Sequence, residues 1–409
     1  MNLNYTELFI YLKSGVFCAW LLSLFLETGY KLTTFLICCI ALISLYYTKK
    51  HDFKVINFVL QNARKIFYSA LIFIILNSFS VFFIDYTERD IGYLKDFIKY
   101  SLFFFIPIII IKSSKDIKNM MVDMLLVSGI VSVYGLYTYF VLDFSRVGEI
   151  PTLFSLLLLF LLPFCIIPYF CGYKKEKVLY FMLISLNLLA LILTQTRAGW
   201  ISFIVASICI LFLNRKNINF KKILKFIILF ILIISCGFPV IMKRVNDTIN
   251  YKDNYSYERI YIWQSSYKMG MDNFFTGIGL ENSRFKELYD NEYQLPDSKE
   301  KHINHPHNAF LYFFVKSGIG GLIGFILFQI EQFYYLYKNS KIANHNIKEF
   351  SLLGIWFFMV FFIGSLFDAY FYFISIQKIY WALLGFIIAC IEVSKFKAYN
   401  IEQMNERKI

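Results

Sequence analysis

Three of the chain's five histidines, His302, His305 and His307, fall within six positions where a polar stretch gives way to an apolar one. An imidazole can take or give a proton near neutral pH. Titratable rings at the edge of a membrane-length apolar run are costly to keep without a use, so the cluster points to proton transfer at a membrane surface. Alone, a histidine at a helix start is more often structural. Here Asn308 and then Ala309-Phe-Leu-Tyr312 read as the first turn of a helix, and a helix N-terminus with cations nearby favours a neutral, proton-accepting ring. His307 is therefore the candidate base. His305 could orient it or a substrate, and His302 reads as an exposed loop residue.

The cations that could share such a site are Arg146 in Asp143-Phe-Ser-Arg146-Val-Gly-Glu149, Arg197 in Thr194-Gln-Thr-Arg197-Ala-Gly199, and Arg259. Several guanidiniums facing one cavity make a fork-like receptor for phosphate oxygens. Arg197 falls in a tight hairpin between two apolar runs, where a guanidinium is expensive without an anion or carboxylate partner. Its plainer role is a snorkelling cation on lipid phosphate; for Arg146 and Arg259 the plainer role is a solvated charge or a local ion pair. Lys268 and Arg284 read as solvated. Asp368, in Ser365-Leu-Phe-Asp368-Ala-Tyr370, groups with the substrate-binding candidates and is expected to pair with one of the arginines. No Asp-x-Asp pair stands outside the apolar runs, and Glu88-Arg-Asp90 is the nearest approach. A reaction that expels a phosphorylated leaving group would here be served by fixed cations, with no metal and no cofactor.

The elements that must position these residues are membrane helices. The 409 residues are 58% hydrophobic and 20% aromatic with mean hydropathy +0.57, which excludes both a soluble globular domain and a disordered chain. Apolar runs able to cross roughly 30 Å of hydrocarbon fall near 8–26, 32–48, 66–86, 96–111, 120–142, 151–171, 178–196, 199–213, 223–242, 308–330, 350–370 and 374–391. The fold class is all-α: a polytopic membrane protein with about twelve spans and one long exterior loop carrying short helices. Its divisions are nine spans in 1–242, an exterior loop at 243–307, three spans in 308–391 and a cytoplasmic tail at 392–409.

Lysine and arginine concentrate in alternate loops, 49–65, 112–119, 172–177, 214–222, 331–349 and the tail. By the positive-inside rule both termini are cytoplasmic and the long loop is outside. The net charge of +13 then mostly reflects topology, and its dispersal over loops argues against nucleic-acid binding. All eight cysteines lie in or beside apolar runs, without disulfide or zinc spacing. No small-residue cleavage pattern follows the first span, which is expected to remain as an anchor. In the long loop, Tyr257–Lys268 has a helical pattern, with Ile260, Trp263, Tyr267 and Met271 on one face that could lie on the membrane or cap a cavity. Gly318, Gly320, Gly321 and Gly324 suggest close helix packing.

Thr194-Gln-Thr-Arg197, Arg259 with Trp263, Gly277-Ile-Gly279, and His307-Asn308 followed by Gly318 and Gly321 together resemble the O-antigen ligase and polymerase superfamily of bacterial envelope glycosyltransferases. The related region runs over about 180–330, within a chain whose spans and long exterior loop are also similar. The resemblance implies a metal-independent, inverting glycosyltransferase of the inner membrane, acting on the periplasmic side in lipopolysaccharide biosynthesis. The donor would be a glycan on undecaprenyl diphosphate and the acceptor a sugar hydroxyl of lipid A core, with membrane lipids around both. By position, Arg197 and Arg259 would hold the diphosphate, Arg146 would assist, and His307 would deprotonate the acceptor; His305, Asn308 and Asp368 complete the candidate substrate contacts. A polymerase extending lipid-linked repeats is the alternative. A lipid-linked glycan transporter fits less well, because the polar residues gather on one side and no repeat symmetry is evident.

Overall fold

A computed structural model describes residues 5–26, 29–46, 50–83, 87–148, 150–171, 177–215 and 255–406, with scattered positions between 228 and 246. Among these there are helices and turns and no strands. The N-terminal part comprises α1 (Tyr5–Phe25), α2 (Tyr30–Tyr46), α3 (Lys50–Asn62), α4 (Arg64–Ser78), α5 (Glu88–Ser101), α6 (Phe105–Ile110) and α7 (Ser114–Phe140). Next come α8 (Pro151–Leu161), α9 (Pro163–Cys171), α10 (Lys177–Leu193) and α11 (Arg197–Asn214). After the long connection's α12 (Tyr255–Asp272) and α13 (Asn282–Leu288), the chain ends in α14 (Ala309–Ser340), α15 (His345–Ser365) and α16 (Ile374–Glu406).

Seven helical stretches among the described residues are long and apolar enough to cross a membrane, and three shorter apolar helices, Phe9–Phe25, Tyr30–Tyr46 and Lys177–Leu193, accompany them. This is a membrane protein built of helices. The expected ninth span, 223–242, lies largely outside the described residues. The expected fourth, 96–111, is not one helix: α5 stops at Ser101, a 3-10 turn Leu102–Phe104 intervenes, and α6 is only six residues long. Phe67, Phe104, Phe105 and Trp381 crowd around that turn, in edge and stacked contacts with centroids 5.3 to 6.2 Å apart. The basic loop expected at 49–65 contains the helix α3, and α16 continues through the expected tail as far as Glu406.

Burial sorts the helices. The apolar windows at Pro151–Tyr169 and Ile374–Ile401 are 94% and 89% buried, whereas those of Arg64–Phe82 and Arg197–Asn214 are 33% buried, so α8, α9 and α16 form the centre and α4 and α11 the outside. Trp356 on α15 ties the centre together by donating its indole N–H to the Leu159 carbonyl at 2.9 Å. Buried Lys13 of α1 meets Asp116 of α7 at 2.5 Å, as a charge inside such a bundle must.

Two features carry the site. The first is α12, whose inward face, Glu258, Ile262, Ser265, Ser266 and Met269, is buried, while Ile260, Tyr267 and Met271 are exposed. Of the apolar stripe legible in the sequence, Ile260, Tyr267 and Met271 thus face outward, and Trp263 is half-buried. Ile262 and Met269 join Ile278, Phe285, Tyr289, Ile303 and Val315 in a small core of their own. The second is a break in α14, where Ser317 and Gly318 leave helical geometry and Gly318 adopts φ 64°, ψ −163°. The freed backbone groups pair with the segment after α12: Ile278 N–H to Val315 O at 2.9 Å, Gly279 N–H to Lys316 O at 3.1 Å, and Ile319 N–H to Phe274 O at 2.7 Å. Gly318 therefore interrupts the helix and does not serve helix packing, whereas Gly324 does pack closely on Phe73 of α4.

Candidate active site

Asn308 is the N-cap of α14, its Oδ1 accepting the amides of Phe310 and Leu311 at 2.9 and 3.0 Å. Its amide nitrogen donates to the Leu366 carbonyl at 3.1 Å, fastening the helix start to the loop after α15. His307, one residue earlier, turns through φ 49°. Its Nδ1 faces Asp368 Oδ1 at 3.3 Å across that junction. Asp368, expected to pair with an arginine, thus binds the histidine, because the Asn308 cap brings the two loops together.

The protons can be placed. His305 Nδ1 lies 3.3 Å from the His307 backbone N–H and accepts from it, which puts the His305 ring proton on Nε2. Burial, then the neighbouring His307, pushes the His305 ring down to about 3, so it is neutral. Its Nδ1 also lies 3.9 Å from Asp368, two acceptors facing each other without a hydrogen bond. Burial acts to raise the Asp368 carboxyl, but the His307 hydrogen bond and neighbouring positive charge outweigh it and hold the group below the ordinary carboxylate range. Asp368 Oδ1 therefore accepts from His307 Nδ1 and from the Ala369 amide at 2.9 Å. With Nδ1 engaged by Asp368, Nε2 is the nitrogen of His307 left to serve as a base, in a side chain 30% exposed.

The arginines come from three places. Arg146 sits in the turn after α7 and Arg197 opens α11 just past the turn after α10, and those turns are bonded to each other through Val147 N–H to Leu193 O at 3.1 Å and Gln195 Nε2 to Ser145 O at 2.9 Å. Arg259 is on α12. Beside it, buried Glu258 accepts from Ser298 Oγ at 2.8 Å and from the Lys299 and Glu300 amides at 3.1 and 3.4 Å.

These groups meet. Arg146, Arg197, Arg259, His307 and Asp368 line one cavity of about 360 Å³, together with Thr152, Gln195, Thr196, Glu258, Glu300 and Tyr370. His305 and Asn308 do not line it: His305 is buried behind His307, and Asn308 is a cap. Arg284, expected to be solvated, reaches Asp90 at 3.4 Å and the Ile278 carbonyl at 2.7 Å. Asp90 is buried and accepts the Leu280 and Glu281 amides, holding the long connection in place. His302 is exposed and contacts Asp290 at 2.6 Å. Glu258 and Glu300 were not singled out by the sequence reading, since nothing distinguishes them there from other charges of a polar loop. Adjacency to Arg259 was the one available signal for Glu258.

His305, His307 and Asp368 offer a nitrogen or oxygen ligand atom each, all within 4.8 Å of one another, the spacing of a metal site. The lone pair of His305 Nδ1 and the nearer oxygen of Asp368 are already engaged by amides. Within the set only His307 and Asp368 are joined side chain to side chain, while His305 is held through the His307 amide.

Residues 180–326 match the family described as O-antigen ligase. The matched segment runs from α10 into α14 and contains Arg197, Arg259 and His307; Arg146 and Asp368 lie outside it. The O-antigen ligase match supports a glycosyltransferase-like activity of the O-antigen ligase and polymerase type, consistent with lipid-linked glycan substrates. No curated protein matches the chain.

Proposed function

We propose that this protein is an O-antigen ligase-type glycosyltransferase of the bacterial inner membrane. It moves a glycan from undecaprenyl diphosphate to a sugar hydroxyl of lipid A core on the periplasmic side, with both of its termini in the cytoplasm. The observation that carries this reading is the meeting of three guanidiniums and an Asp-oriented imidazole in one cavity.

The chemistry follows from the parts. Arg197 and Arg259, with Arg146, bind the diphosphate, whose negative charge grows as it departs; fixed cations stabilise that charge without a metal. His307 Nε2 takes the proton of the acceptor hydroxyl as its oxygen attacks the anomeric carbon. The new carbon–oxygen bond forms as the bond to the diphosphate breaks on the opposite face, which inverts the anomeric centre. A diphosphate leaves without being protonated, so one base suffices.

The test is transfer by purified, reconstituted protein given undecaprenyl-diphosphate glycan with either lipid A core or a second lipid-linked repeat as acceptor. Wild type transfers to lipid A core, and His307→Ala loses roughly 10²- to 10⁴-fold in rate. Near-wild-type transfer by the variant overturns the base assignment. Transfer only to the lipid-linked repeat makes the protein a polymerase.

A further inference from the structure

The cavity is lined by three arginines and three carboxylates, Glu258, Glu300 and Asp368. Two of the carboxylates have visible work. Asp368 holds His307, and Glu258 holds the backbone of the 298–300 turn. Glu300 holds nothing comparable. Among the described residues no donor hydrogen-bonds its carboxylate and no cation reaches ion-pair distance. The field of His307 and Arg259 reaches it, as does that of Glu258.

Its backbone, by contrast, is firmly held. The Glu300 amide donates to Glu258 at 3.4 Å, and Gln294 Nε2 donates to both the Ser298 and Glu300 carbonyls at 3.1 Å. Ser298 Oγ is shared between Glu258 at 2.8 Å and the Tyr289 hydroxyl at 3.1 Å. A loop tied at this many points fixes where Glu300 projects. Partial burial and the adjacent Glu258 raise its carboxyl from its usual value.

A carboxylate in a cavity built for a diphosphate repels that ligand, so one without a hydrogen-bonding or ion-pair partner among the described residues is suited to something neutral. Sugar hydroxyls are such partners: each donates one hydrogen bond, and bonds to an ionised oxygen are the stronger kind. We propose that Glu300 is an acceptor-binding residue, taking hydrogen bonds from hydroxyls that neighbour the one His307 deprotonates. The proposal rests on the glycan-transfer reading above. It assigns the two walls of the cavity to the two substrates. The tied turns bearing Arg146 and Arg197 face the donor's diphosphate, and the 298–307 segment faces the neutral acceptor, with Arg259 between.

The experiment is a two-substrate kinetic comparison of wild type, Glu300→Gln and Glu300→Ala in the same reconstituted transfer assay. Losing charge-assisted bonds raises the acceptor KM by about tenfold or more. Removing a negative charge from the donor's cavity lowers the donor KM, an effect that a distorted cavity would not produce. An unchanged acceptor KM, or both KM values rising together, overturns the assignment while leaving glycan transfer intact. Wild-type protein that transfers to neither acceptor overturns the transfer reading, and this assignment with it.

Discussion

Asp368 carries two hydrogen bonds on one oxygen, and that geometry decides which nitrogen of His307 is basic. Replacing it by asparagine keeps the size and leaves an acceptor for the Ala369 amide. The new amide N–H₂ can, however, turn toward Nδ1 and move the ring proton to Nε2, the nitrogen that must be free. Asp368→Asn is expected to fold normally and to lower kcat by roughly 10²- to 10⁴-fold at little change in donor KM, measured in the transfer assay. A fall in donor affinity with unchanged kcat would return Asp368 to the arginine-pairing role read from sequence. At this scale the sequence was informative about residue types and poor on partnerships. Rings at a helix start and arginines in hairpins declare themselves by chemistry and local spacing. A pair such as His307 and Asp368, 61 positions apart, is made by the docking of two loops, and no local pattern encodes it. Glu300 was hidden for the opposite reason: it sits among Asp297, Lys299 and Lys301, where only the three-dimensional anchoring of its backbone sets it apart.

The break in α14 is where element geometry serves the site. It lets the first turns of α14, which start at His307 and Asn308, pair with the segment that follows α12 and so lock Arg259's helix to the histidine's helix. The conformation at Gly318, φ 64° with ψ −163°, is open to glycine and essentially closed to other residues. A Cβ there would also lie 2.7 Å from the Phe274 carbonyl oxygen. Gly318→Ala is expected to destabilise by about 2 kcal/mol or more, combining backbone strain with the clash. Gly320→Ala, two residues on, has its nearest atom at 3.9 Å and should be close to neutral. Thermal unfolding of both variants in detergent makes the comparison, and equal melting temperatures would mean that the break is not required. The glycines were visible in sequence but read as packing residues. The apolar run is interrupted at the break itself, by Lys316-Ser317-Gly318, but a window of spanning length averages over three such residues, so hydropathy reads through the local loss of helix. The same limit applies at 96–111, where an apolar run of spanning length is divided by aromatic packing around Phe104.

The whole molecule separates its two ends. Arg146, Arg197, Arg259, Glu300, His307 and Asp368 gather in one cavity, whereas Lys341 lies in the turn at the far end of α14, beyond a helix of 32 residues. At 1.5 Å per residue the part of α14 after the break, from Ile319 to Ser340, is alone about 33 Å long, close to the hydrocarbon thickness, so the two regions are expected on opposite sides of a bilayer. Membrane character and most spans were legible because length and hydropathy are summed over many residues and tolerate local error. Side, in contrast, rests on loop charge alone, from which an outward-facing cavity is a proposal. That assignment has a direct consequence. Asp297, exposed on the cavity's loop, and Lys341, exposed in the α14–α15 turn, are separate positions at which to introduce a thiol. With Asp297→Cys, a membrane-impermeant maleimide added to intact spheroplasts should label the protein, because an outward-facing loop is open to the reagent. With Lys341→Cys, labelling should appear only after lysis. The reverse pattern would put the arginine-lined cavity in the cytoplasm, where a donor presented outside the membrane could not reach it, and the transfer reading would fail on topology alone.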